Sequence, residues 1–375
     1  MYDVAVIGAG PAGAAAALSA LRTRPGATVL LVDKADFPRD KSCGDGIAPH
    51  ALDELARLGV ADVLLDQTPV RRLRLVSPRG TETASRVQRP NYVVPRSVFD
   101  ARLVEAAVAG GAHFRRHTVR DLDEVDARVI VGADGANGVT RRLLGLPKQH
   151  EATVAIAVRG YIPWETSDPE QIIIMDGRDW PAYAWRFDTG AGSANVGFGM
   201  LLPNLRSMPR GRDALHERLV ELLPEAAGAQ RLRSHHLTLS TGRPVQPDGR
   251  VLLAGDAASL VNPLTGEGIF YALLSGRLAG AAAVGEGDPG MAYRTALAGE
   301  LERHLRHTTW LARATAHQRV LDAGVRAVQD RPEAMHALVE VGLGRGLVTR
   351  TLLAALTAEA GRSLLRRLRA GIGPA

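Results

Sequence analysis

Apolar and polar positions at the start of the chain follow the pattern of a strand, a helix and a second strand. Val4 to Ile7 is a short, uninterrupted apolar run, which is typical of a strand buried on both faces of a parallel sheet. Glycines and an alanine-rich segment follow it, and Thr28 to Val32 forms a second apolar run. This order predicts a βαβ unit at the start of the chain.

The middle of the chain changes to alternation with a period of two. Apolar and polar residues alternate over 153–162 and 193–201, and turns rich in proline, glycine and aspartate separate the segments. Val76 to Tyr92 contains two more strand-like segments around the turn Ser77-Pro78-Arg79-Gly80. We expect a sheet here, whereas the pattern after about residue 285 is helical and rich in arginine.

The first predicted turn carries a dinucleotide-binding pattern. Gly8, Gly10 and Gly13 form G-x-G-x-x-G between the first strand and the helix. Asp33 ends the second strand, 20 positions after Gly13, where a carboxylate is expected to bind the ribose. Because the strands, the helix and the acidic residue occur in the expected order, we predict that this segment binds the ADP part of NAD or FAD.

A distant glycine-rich segment decides between the two dinucleotides. Val251 to Leu278 begins as a strand, turns at Gly255-Asp256 and continues through Pro263 and Gly266-Glu267-Gly268 into a helix. Glycines and a helix start of this kind accommodate a planar, electron-rich ligand. Sites so far apart in the sequence suit a long, extended ligand and favour FAD. A third strand with a glycine-aspartate turn lies between them, with Gly132, Asp134, Gly135 and Arg141.

Together the three motifs resemble the p-hydroxybenzoate hydroxylase-like FAD superfamily, and within it the geranylgeranyl reductase family. Phe37 to Leu55 resembles that family's Lys-x-Cys-Gly element, and Pro181 to Phe187 resembles its Tyr-x-Trp-x-Phe-Pro element. The resemblance covers about residues 1 to 285. Asp188 departs from it, because the family usually has proline there. His50 also departs, because related menaquinone reductases often have arginine. These departures leave the substrate open, but not the cofactor.

The predicted fold class is α/β, with a Rossmann-like FAD-binding domain, an inserted antiparallel β-sheet substrate domain and a helical C-terminal region. We expect the FAD-binding domain to be discontinuous and to comprise residues 1–75, 93–149 and 236–285. The substrate domain would comprise residues 76–92 and 150–235, and the helical region residues 286–375.

The motifs and the resemblance together predict the residues that contact FAD. The resemblance places the Lys-x-Cys-Gly element beside the flavin. Arg96 opens a family-like R-x-x-F-D-x-x-L segment and is expected to contact the cofactor, with a surface salt bridge to Asp100 as the alternative. The predicted cofactor-binding residues are Gly8, Gly10, Pro11, Ala12, Gly13, Asp33, Lys34, Cys43, Gly44, Arg96, Val119, Asp134, Gly255, Asp256, Pro263, Gly266, Glu267, Gly268 and Ile269.

Aromatic residues indicate where the substrate binds. Seven of the chain's 16 Trp, Tyr and Phe residues lie between residues 161 and 198, and such a cluster can line a pocket for a flat or unsaturated ligand. Alternation along a strand puts Tyr183 and Trp185 on one face. We predict that Tyr183, Trp185 and Phe187 bind the substrate, whereas Phe198 packs in the core of the sheet.

We therefore expect an FAD-dependent oxidoreductase that acts on a hydrophobic isoprenoid or polycyclic substrate. The resemblance implies reduction of a C=C bond by hydride from reduced FAD, with a proton from Cys43, Asp45 or Tyr183 as candidate catalytic residues. One alternative is a flavin monooxygenase that hydroxylates or epoxidises a terpenoid or aromatic intermediate through a flavin hydroperoxide. A second alternative is a redox partner without a small substrate of its own, against which the aromatic cluster argues.

Other function classes are excluded by what the sequence lacks. Flavin-dependent halogenases share an essential lysine after the first FAD element, and no lysine occurs between residues 42 and 147. His235 and His236 alternate on a strand, and no second ligand-bearing helix accompanies His304 and His307, so no metal site is predicted. A net charge of +6 without a dense basic block argues against nucleic acid.

The source of electrons and the location of the protein are also open to prediction. Gly342 to Gly346 lacks a preceding strand, so either NAD(P)H docks transiently on the FAD domain or a separate reductase or ferredoxin supplies electrons. A single cysteine and the lack of an apolar run of membrane length indicate a cytoplasmic protein. Peripheral membrane contact is an alternative that a solvated helix face explains better; it would use Arg362, Arg366, Arg367 and Arg369.

Overall fold

The computed structural model describes residues 1–243, 245–315, 318–329 and 331–359, which form two β-sheets surrounded by helices. The helices of this part are α1 (Pro11–Thr23), α2 (Pro49–Arg57), α3 (Arg96–Ala109), α4 (Thr140–Leu143), α5 (Leu202–Arg206), α6 (Arg212–Leu222), α7 (Ile269–Val284), α8 (Pro289–Ala314), α9 (Gln318–Val328) and α10 (Pro332–Leu343). The strands are β1 (Tyr2–Ile7), β2 (Val29–Asp33), β3 (Gly46–Ile47), β4 (Pro69–Val76), β5 (Glu82–Val93), β6 (His113–Arg116), β7 (Ala127–Gly132), β8 (Val154–Pro163), β9 (Glu170–Met175), β10 (Ala182–Asp188), β11 (Ser193–Leu201), β12 (Gln230–Thr238) and β13 (Val251–Leu253).

The first sheet has five parallel strands in the order β13-β7-β1-β2-β6. The apolar runs predicted at 4–7 and 28–32 lie in its two middle strands, β1 and β2, and are buried as a sheet covered on both faces requires. Parallel strands end at the same edge, so the segments that follow β1, β2, β7 and β13 all meet there. This confirms the predicted α/β class with a Rossmann-like domain.

Small residues bring helices α1 and α7 unusually close on one face of this sheet. A Cβ atom at Gly276 would overlap the carbonyl oxygen of Ala12, and one at Gly280 would overlap that of Ala16. Because no larger residue fits at these positions, the first and third motifs are held side by side, although they are more than 240 residues apart.

The second sheet has eight strands in the order β12-β8-β11-β10-β9-β4-β5-β3. Its hairpin turn at residues 77–80 lies where the alternation predicted it. One pair departs from the antiparallel expectation: β4 and β9 are parallel, because the chain leaves the sheet after β5, passes through the first sheet and returns at β8. Strands β3 and β4 belong to this second sheet, although nearly all of their residues lie in the segment 1–75 that was predicted for the FAD-binding domain. The domain boundaries stay a prediction.

The second sheet curls so that its edge strand approaches its middle. A Cβ atom at Gly46, in edge strand β3, would lie 3.7 Å from the ring of Phe187 in β10. Helices α9 and α10 cover β4 and β5 through an apolar cluster that includes Leu75, Val325 and Met335. The sheet and these helices therefore enclose a space between them.

The C-terminal region is helical as far as the structure describes it, through α8, α9 and α10. Arg362, Arg366, Arg367 and Arg369, which were considered for membrane contact, lie outside the described residues. Within the described part of the chain, no helix combines the length and apolar character that a membrane crossing requires.

Candidate active site

The first glycine motif leaves an open cradle at the start of α1. Gly8 has a φ of +100°, and a Cβ at Gly13 would overlap the carbonyl oxygen of Gly8, so the turn is closed tightly. A Cβ at Gly10 would meet only two guanidinium groups, with Arg39 Nη2 at 3.5 Å and Arg96 Nη2 at 3.8 Å. No side chain caps the helix start. Free backbone N–H groups between two cations fit the pyrophosphate of a dinucleotide.

Asp33 is held at the end of β2 by two backbone N–H groups. Its Oδ2 accepts a hydrogen bond from the backbone N–H of Ala9 over 2.9 Å, and its Oδ1 accepts one from Ala35 over 2.9 Å. Each carboxylate oxygen keeps a further lone pair for a sugar hydroxyl. Lys34, the next predicted residue, has an exposed side chain.

Asp100 holds both arginines of the cradle in place. Arg96 donates to it through Nε at 2.6 Å and Nη2 at 2.8 Å, and Arg39 Nη1 lies 3.2 Å from its Oδ2. The predicted salt bridge therefore exists, but it is buried rather than on the surface, because Asp100 has no exposure and Arg96 only 3%. Arg39 was not among the predicted cofactor contacts, although it belongs to the family-like segment 37–55.

The second motif organises a loop at the same sheet edge. Asp134 Oδ2 accepts from the N–H of Thr140 at 2.8 Å and from its hydroxyl at 2.9 Å, while Oδ1 is buried without a partner among the described residues. Burial raises the pKa of Asp134. Val119 packs in the apolar core beneath the sheet with Ile7 and Val32. Both predicted contacts with FAD therefore stay proposals.

The third motif adds a set of charged and titratable groups opposite the cradle. Gly255 has a φ of +60°, and Asp256 lies 3.5 Å from Lys41 Nζ and 4.0 Å from His235 Nε2. Burial, together with the charge of Lys41, lowers the pKa of His235 to about 4, so the ring is neutral at physiological pH. His235 was weighed in the sequence only as a metal ligand, whereas in the structure it lines the large cavity of the site.

A cavity of about 350 Å³ connects the predicted flavin end of the site with the C-terminal helices. The predicted residues Pro11, Cys43, Gly44, Arg96 and Asp256 line its first end, together with the loop from Pro263 to Ile269. Its far end is lined by apolar side chains of α9, α10 and the following segment, among them Val325, Val339 and Leu356. The shape suits a ligand with a long apolar part.

An aromatic strip on β10 lies between the two ends. Tyr183, Trp185 and Phe187 all line the cavity, as the alternation predicted, with ring centroids 5.9 and 6.3 Å apart in sequence order. Phe198 points to the other face and is fully buried in a core cluster, which confirms its assignment to sheet packing. The strip offers flat apolar surfaces to an unsaturated ligand.

A hydrogen-bond network behind the strip fixes the turn that carries Cys43. Trp185 Nε1 donates to Asn195 Oδ1 over 2.9 Å, and Asn195 Nδ2 donates to the Cys43 carbonyl and to Asp45 Oδ2, each over 2.8 Å. The hydroxyl of Tyr161 also donates to Asp45. Asp45 has no solvent exposure and is not among the described residues that line the cavity, unlike the other two candidate proton donors, Cys43 and Tyr183.

Burial determines which side chains at the cavity are protonated. Burial raises the pKa of the Cys43 thiol and raises that of Glu267 to about 7. Behind the cavity wall, burial raises the pKa of Asp45 to about 6, against the lowering effect of the Tyr161 hydrogen bond. The hydroxyl of Tyr183 donates a hydrogen bond to the carbonyl oxygen of Thr265, and this bond joins the aromatic strip to the third motif. Glu267 was predicted only as a cofactor contact.

The two departures from the family pattern have local structural explanations. Asp188 Oδ1 accepts from Arg186 Nε at 3.0 Å, and its Oδ2 accepts from the N–H of Glu170 at 3.1 Å, on the side of the sheet away from the cavity. His50 Nε2 lies 2.8 Å from Glu340 Oε2 and joins α2 to α10. Neither residue is among the described residues that line the large cavity.

Comparisons with known proteins agree with this geometry. The FAD binding domain family matches residues 1–122 and 116–273. The chain is 35% identical over 314 residues to a menaquinone reductase of Mycolicibacterium smegmatis, covering 74% of this chain and 75% of that protein. It is 33% identical over 318 residues to digeranylgeranylglycerophospholipid reductase 1 of Methanopyrus kandleri, covering 76% and 80%. A geranylgeranyl bacteriochlorophyll reductase-like protein of Thermoplasma acidophilum shares the fold, with a TM-score of 0.79 at 20% identity over 96% of each chain.

Proposed function

The chain belongs to the geranylgeranyl reductase family of FAD-dependent oxidoreductases, and from this premise we propose that it reduces a C=C bond in the apolar chain of an isoprenoid-type substrate. The observation that carries the proposal is the cavity, which begins at the predicted flavin end and continues for a long distance between apolar side chains. A redox partner without its own substrate has no use for such a space. The named relatives act on a quinone and on an isoprenoid lipid, which supports the same substrate class.

The cofactor-binding roles follow from the cradle. Gly10 leaves room for the pyrophosphate between Arg39 and Arg96, and Asp33 accepts the ribose hydroxyls. The loop from Pro263 to Ile269 supplies backbone N–H groups for the flavin end of FAD. When bound in its reduced form, FAD supplies the hydride that adds to one carbon of the double bond.

The protein then has to orient the alkene, exclude water and provide a proton for the second carbon. The strip formed by Tyr183, Trp185 and Phe187 holds the flat part of the substrate beside the turn that carries Cys43 and Gly44, against which Trp185 and Phe187 pack. The Cys43 thiol is the proton donor in this proposal, because it lines the cavity and burial keeps it protonated. Asp45 acts on Cys43 indirectly, as a positioning residue through Asn195.

For the electrons we propose transient docking of NAD(P)H near the cavity mouth, with a separate reductase or ferredoxin as the alternative. The described residues contain no second strand–GxGxxG–helix unit that could hold another dinucleotide, since Gly342 lies in helix α10 and Gly344 and Gly346 follow this helix rather than a strand. Anaerobic mixing of the oxidised holoprotein with NADPH or NADH distinguishes the two sources, because direct docking bleaches the flavin without a second protein.

The reaction is tested by incubating the holoprotein, reduced with dithionite under anaerobic conditions, with a naphthoquinone that carries a geranylgeranyl chain. We expect a product that has gained two hydrogen atoms in the chain, detected by mass spectrometry. A product that has gained oxygen, formed only in air, would replace this proposal with the monooxygenase alternative. The Trp185→Ala variant, loaded with the same amount of FAD, is the control and should give little product.

A further inference from the structure

The wall of the cavity contains an amide pair that neither the proposed chemistry nor the cofactor uses. Gln171 on β9 and Asn91 on β5 both line the cavity, and they are 6% and 1% exposed. Asn91 Nδ2 donates to Gln171 Oε1 over 2.8 Å. The neighbouring cavity residues on β9 and β4 are Ile173, Met175, Leu73 and Leu75, so these amides are the polar part of an otherwise apolar wall.

The strand register places this pair beside Phe187, at the end of the aromatic strip that packs on the 43–46 turn. Phe187 on β10 pairs with Gln171 on β9, whereas Trp185 and Tyr183 pair with Ile173 and Met175. The curl of the sheet brings edge strand β3 over the same point, where a Cβ at Gly46 would lie 3.2 Å from Gln171 Nε2. The amide pair therefore lies beside the 43–46 turn, close to Cys43, rather than at the apolar far end.

The hydrogen bonds of the pair are incomplete. Asn91 Oδ1 is buried and has no partner among the described residues, and no acceptor in that part of the chain takes a hydrogen bond from Gln171 Nε2. A buried polar group without a partner costs about 1–3 kcal/mol, so such groups are usually satisfied by water, by another residue or by a ligand. A pair of packed aliphatic residues would close the same wall without this cost.

We propose that the Asn91–Gln171 pair is a recognition site for one oxygen atom of the substrate, a carbonyl or a hydroxyl on the part that lies against the aromatic strip. Asn91 fixes the amide of Gln171, whose Nε2 donates a hydrogen bond to the substrate oxygen. Asn91 Oδ1 is an acceptor, so a hydroxyl can also donate to it, whereas a carbonyl pairs with Gln171 alone. The substrate is then an oxygen-bearing ring or head group with an isoprenoid chain, and a pure hydrocarbon chain is bound less tightly. This inference rests on the proposed function, because it assigns the class of substrate for the same cavity.

The test measures binding to the oxidised holoprotein, not turnover, by titration of the flavin absorbance. Three probes carry the same geranylgeranyl chain: on a 1,4-naphthoquinone, on a glycerol ether and on naphthalene, which lacks oxygen. Gln171→Leu should weaken binding of at least one oxygen-bearing probe roughly three- to tenfold, the effect of one net hydrogen bond, and leave the naphthalene probe unchanged. A loss confined to the quinone assigns a ring carbonyl, and a loss confined to the ether assigns a head-group oxygen.

Two further variants keep the result interpretable. Gln171→Met retains the length of the side chain and replaces Gln171→Leu if that variant does not fold. Ile173→Val, the adjacent cavity position on β9, should affect all three probes alike. Equal weakening of every probe by the Gln171 variants, or no weakening at all, overturns the inference and makes the pair a structural link between β5 and β9. If discrimination is seen but no alkene is reduced, the inference stands and the proposed function fails.

Discussion

The side-chain nitrogen of Asn195 lies 2.8 Å from Oδ2 of Asp45, a carboxylate with no exposure to solvent. The same Asn195 accepts a hydrogen bond from Trp185, so the substrate strip and the turn that carries Cys43 share one anchor. Asp45 itself has a φ of +61° and is not among the described residues that line the cavity, whereas Cys43 is. The network links substrate binding to the position of the proton donor.

The buried carboxylate gives stability a pH dependence of known sign. Burial raises the pKa of Asp45 from 3.8 to about 6, so the folded state binds its proton more tightly than the unfolded state. Stability from this group is complete below pH 3.8 and is lost as the pH rises through 6, by about 3 kcal/mol in total. Asp45→Asn has no charge to bury and tolerates the positive φ. The free energy of unfolding of this variant, relative to wild type, should therefore rise between pH 5 and pH 8.

Urea unfolding at several pH values measures this difference. Asp248→Asn, at a carboxylate that is 88% exposed, is the matched control and should run parallel to the wild type. Parallel curves for Asp45→Asn would mean that Asp45 is ionised in the folded protein without penalty.

The geometry of the cradle at the start of α1 indicates which glycine substitution tests FAD binding without disturbing the fold. Gly13→Val would force apart the turn and the helix, because its side chain overlaps the Gly8 carbonyl, so loss of FAD could reflect loss of the fold. Gly10→Ala adds a methyl group in ordinary contact with Arg39 and Arg96, where the pyrophosphate has to lie. We expect at least a tenfold loss of FAD affinity, which is about 1.4 kcal/mol, with an unchanged circular dichroism spectrum of the apoprotein.

Gly228→Ala is the control for this prediction, because a Cβ there meets nothing within 4 Å and the backbone is not left-handed. It should retain FAD as the wild type does. A Gly10→Ala protein that purifies with a full complement of FAD would show that the pyrophosphate does not lie at the helix start.

The sequence predicted the parts of the site that depend on local order. The strand, glycine turn, helix and acidic residue of the first motif are neighbours in the chain, and Tyr183 and Trp185 share a face through the period of a strand. The convergence of Asn91, Gln171 and Gly46 could not be predicted, because it requires the curl of an eight-stranded sheet and a parallel β4–β9 pair.

The same limit applies to Arg39, His235 and Asp45. Arg39 lies just ahead of the Lys-x-Cys-Gly element and His235 lies on a strand without a motif, and both reach the site through long-range contacts, with Asp100 and Asp256 respectively. Asp45 was one of three candidate proton donors, but it has a positive φ and its carboxylate binds Tyr161 and Asn195 behind the turn. A single backbone angle, which the sequence does not specify, decided whether this residue faced the ligand.

Trp185 is expected to govern substrate binding rather than FAD content. Trp185→Phe keeps an aromatic ring in the strip but leaves Asn195 Oδ1 without its donor. We expect KM for the substrate to rise roughly tenfold, the effect of about 1.4 kcal/mol, while the FAD content per chain stays unchanged. Phe198→Leu, on the opposite face of the sheet, should lower Tm and leave KM unchanged. A fall in FAD content without a change in KM would contradict the assignment of the strip to the substrate.

The proton donor can be identified from the pH dependence of the alkene reduction. Cys43→Ala removes the proposed donor and should slow the reduction by roughly a hundredfold, the usual contribution of a positioned acid, whereas Cys43→Ser retains part of the rate. Because burial raises the pKa of Cys43, the wild-type rate should not fall as the pH passes through 7. Glu267, with a pKa of about 7, would give a rate that declines above that pH and a decline that Glu267→Gln abolishes. Single-turnover measurements under anaerobic conditions separate these outcomes.

Asp188, which replaces the usual proline of the family, is expected to act on stability and not on substrate choice. Its carboxylate binds Arg186 and the N–H of Glu170, with 1% exposure, and Arg186 lies 4.0 Å over the ring of Trp164 on the far side of the sheet. Asp188→Ala leaves the guanidinium with fewer partners and should reduce the free energy of unfolding by about 3 kcal/mol. Because this network does not reach the cavity, turnover per bound FAD should be unchanged for each of several isoprenoid substrates.

The control Asp168→Ala removes an exposed partner of Arg72 and should reduce the free energy of unfolding by no more than about 1 kcal/mol. An altered substrate preference with unchanged stability would instead make Asp188 a determinant of specificity that acts through the sheet.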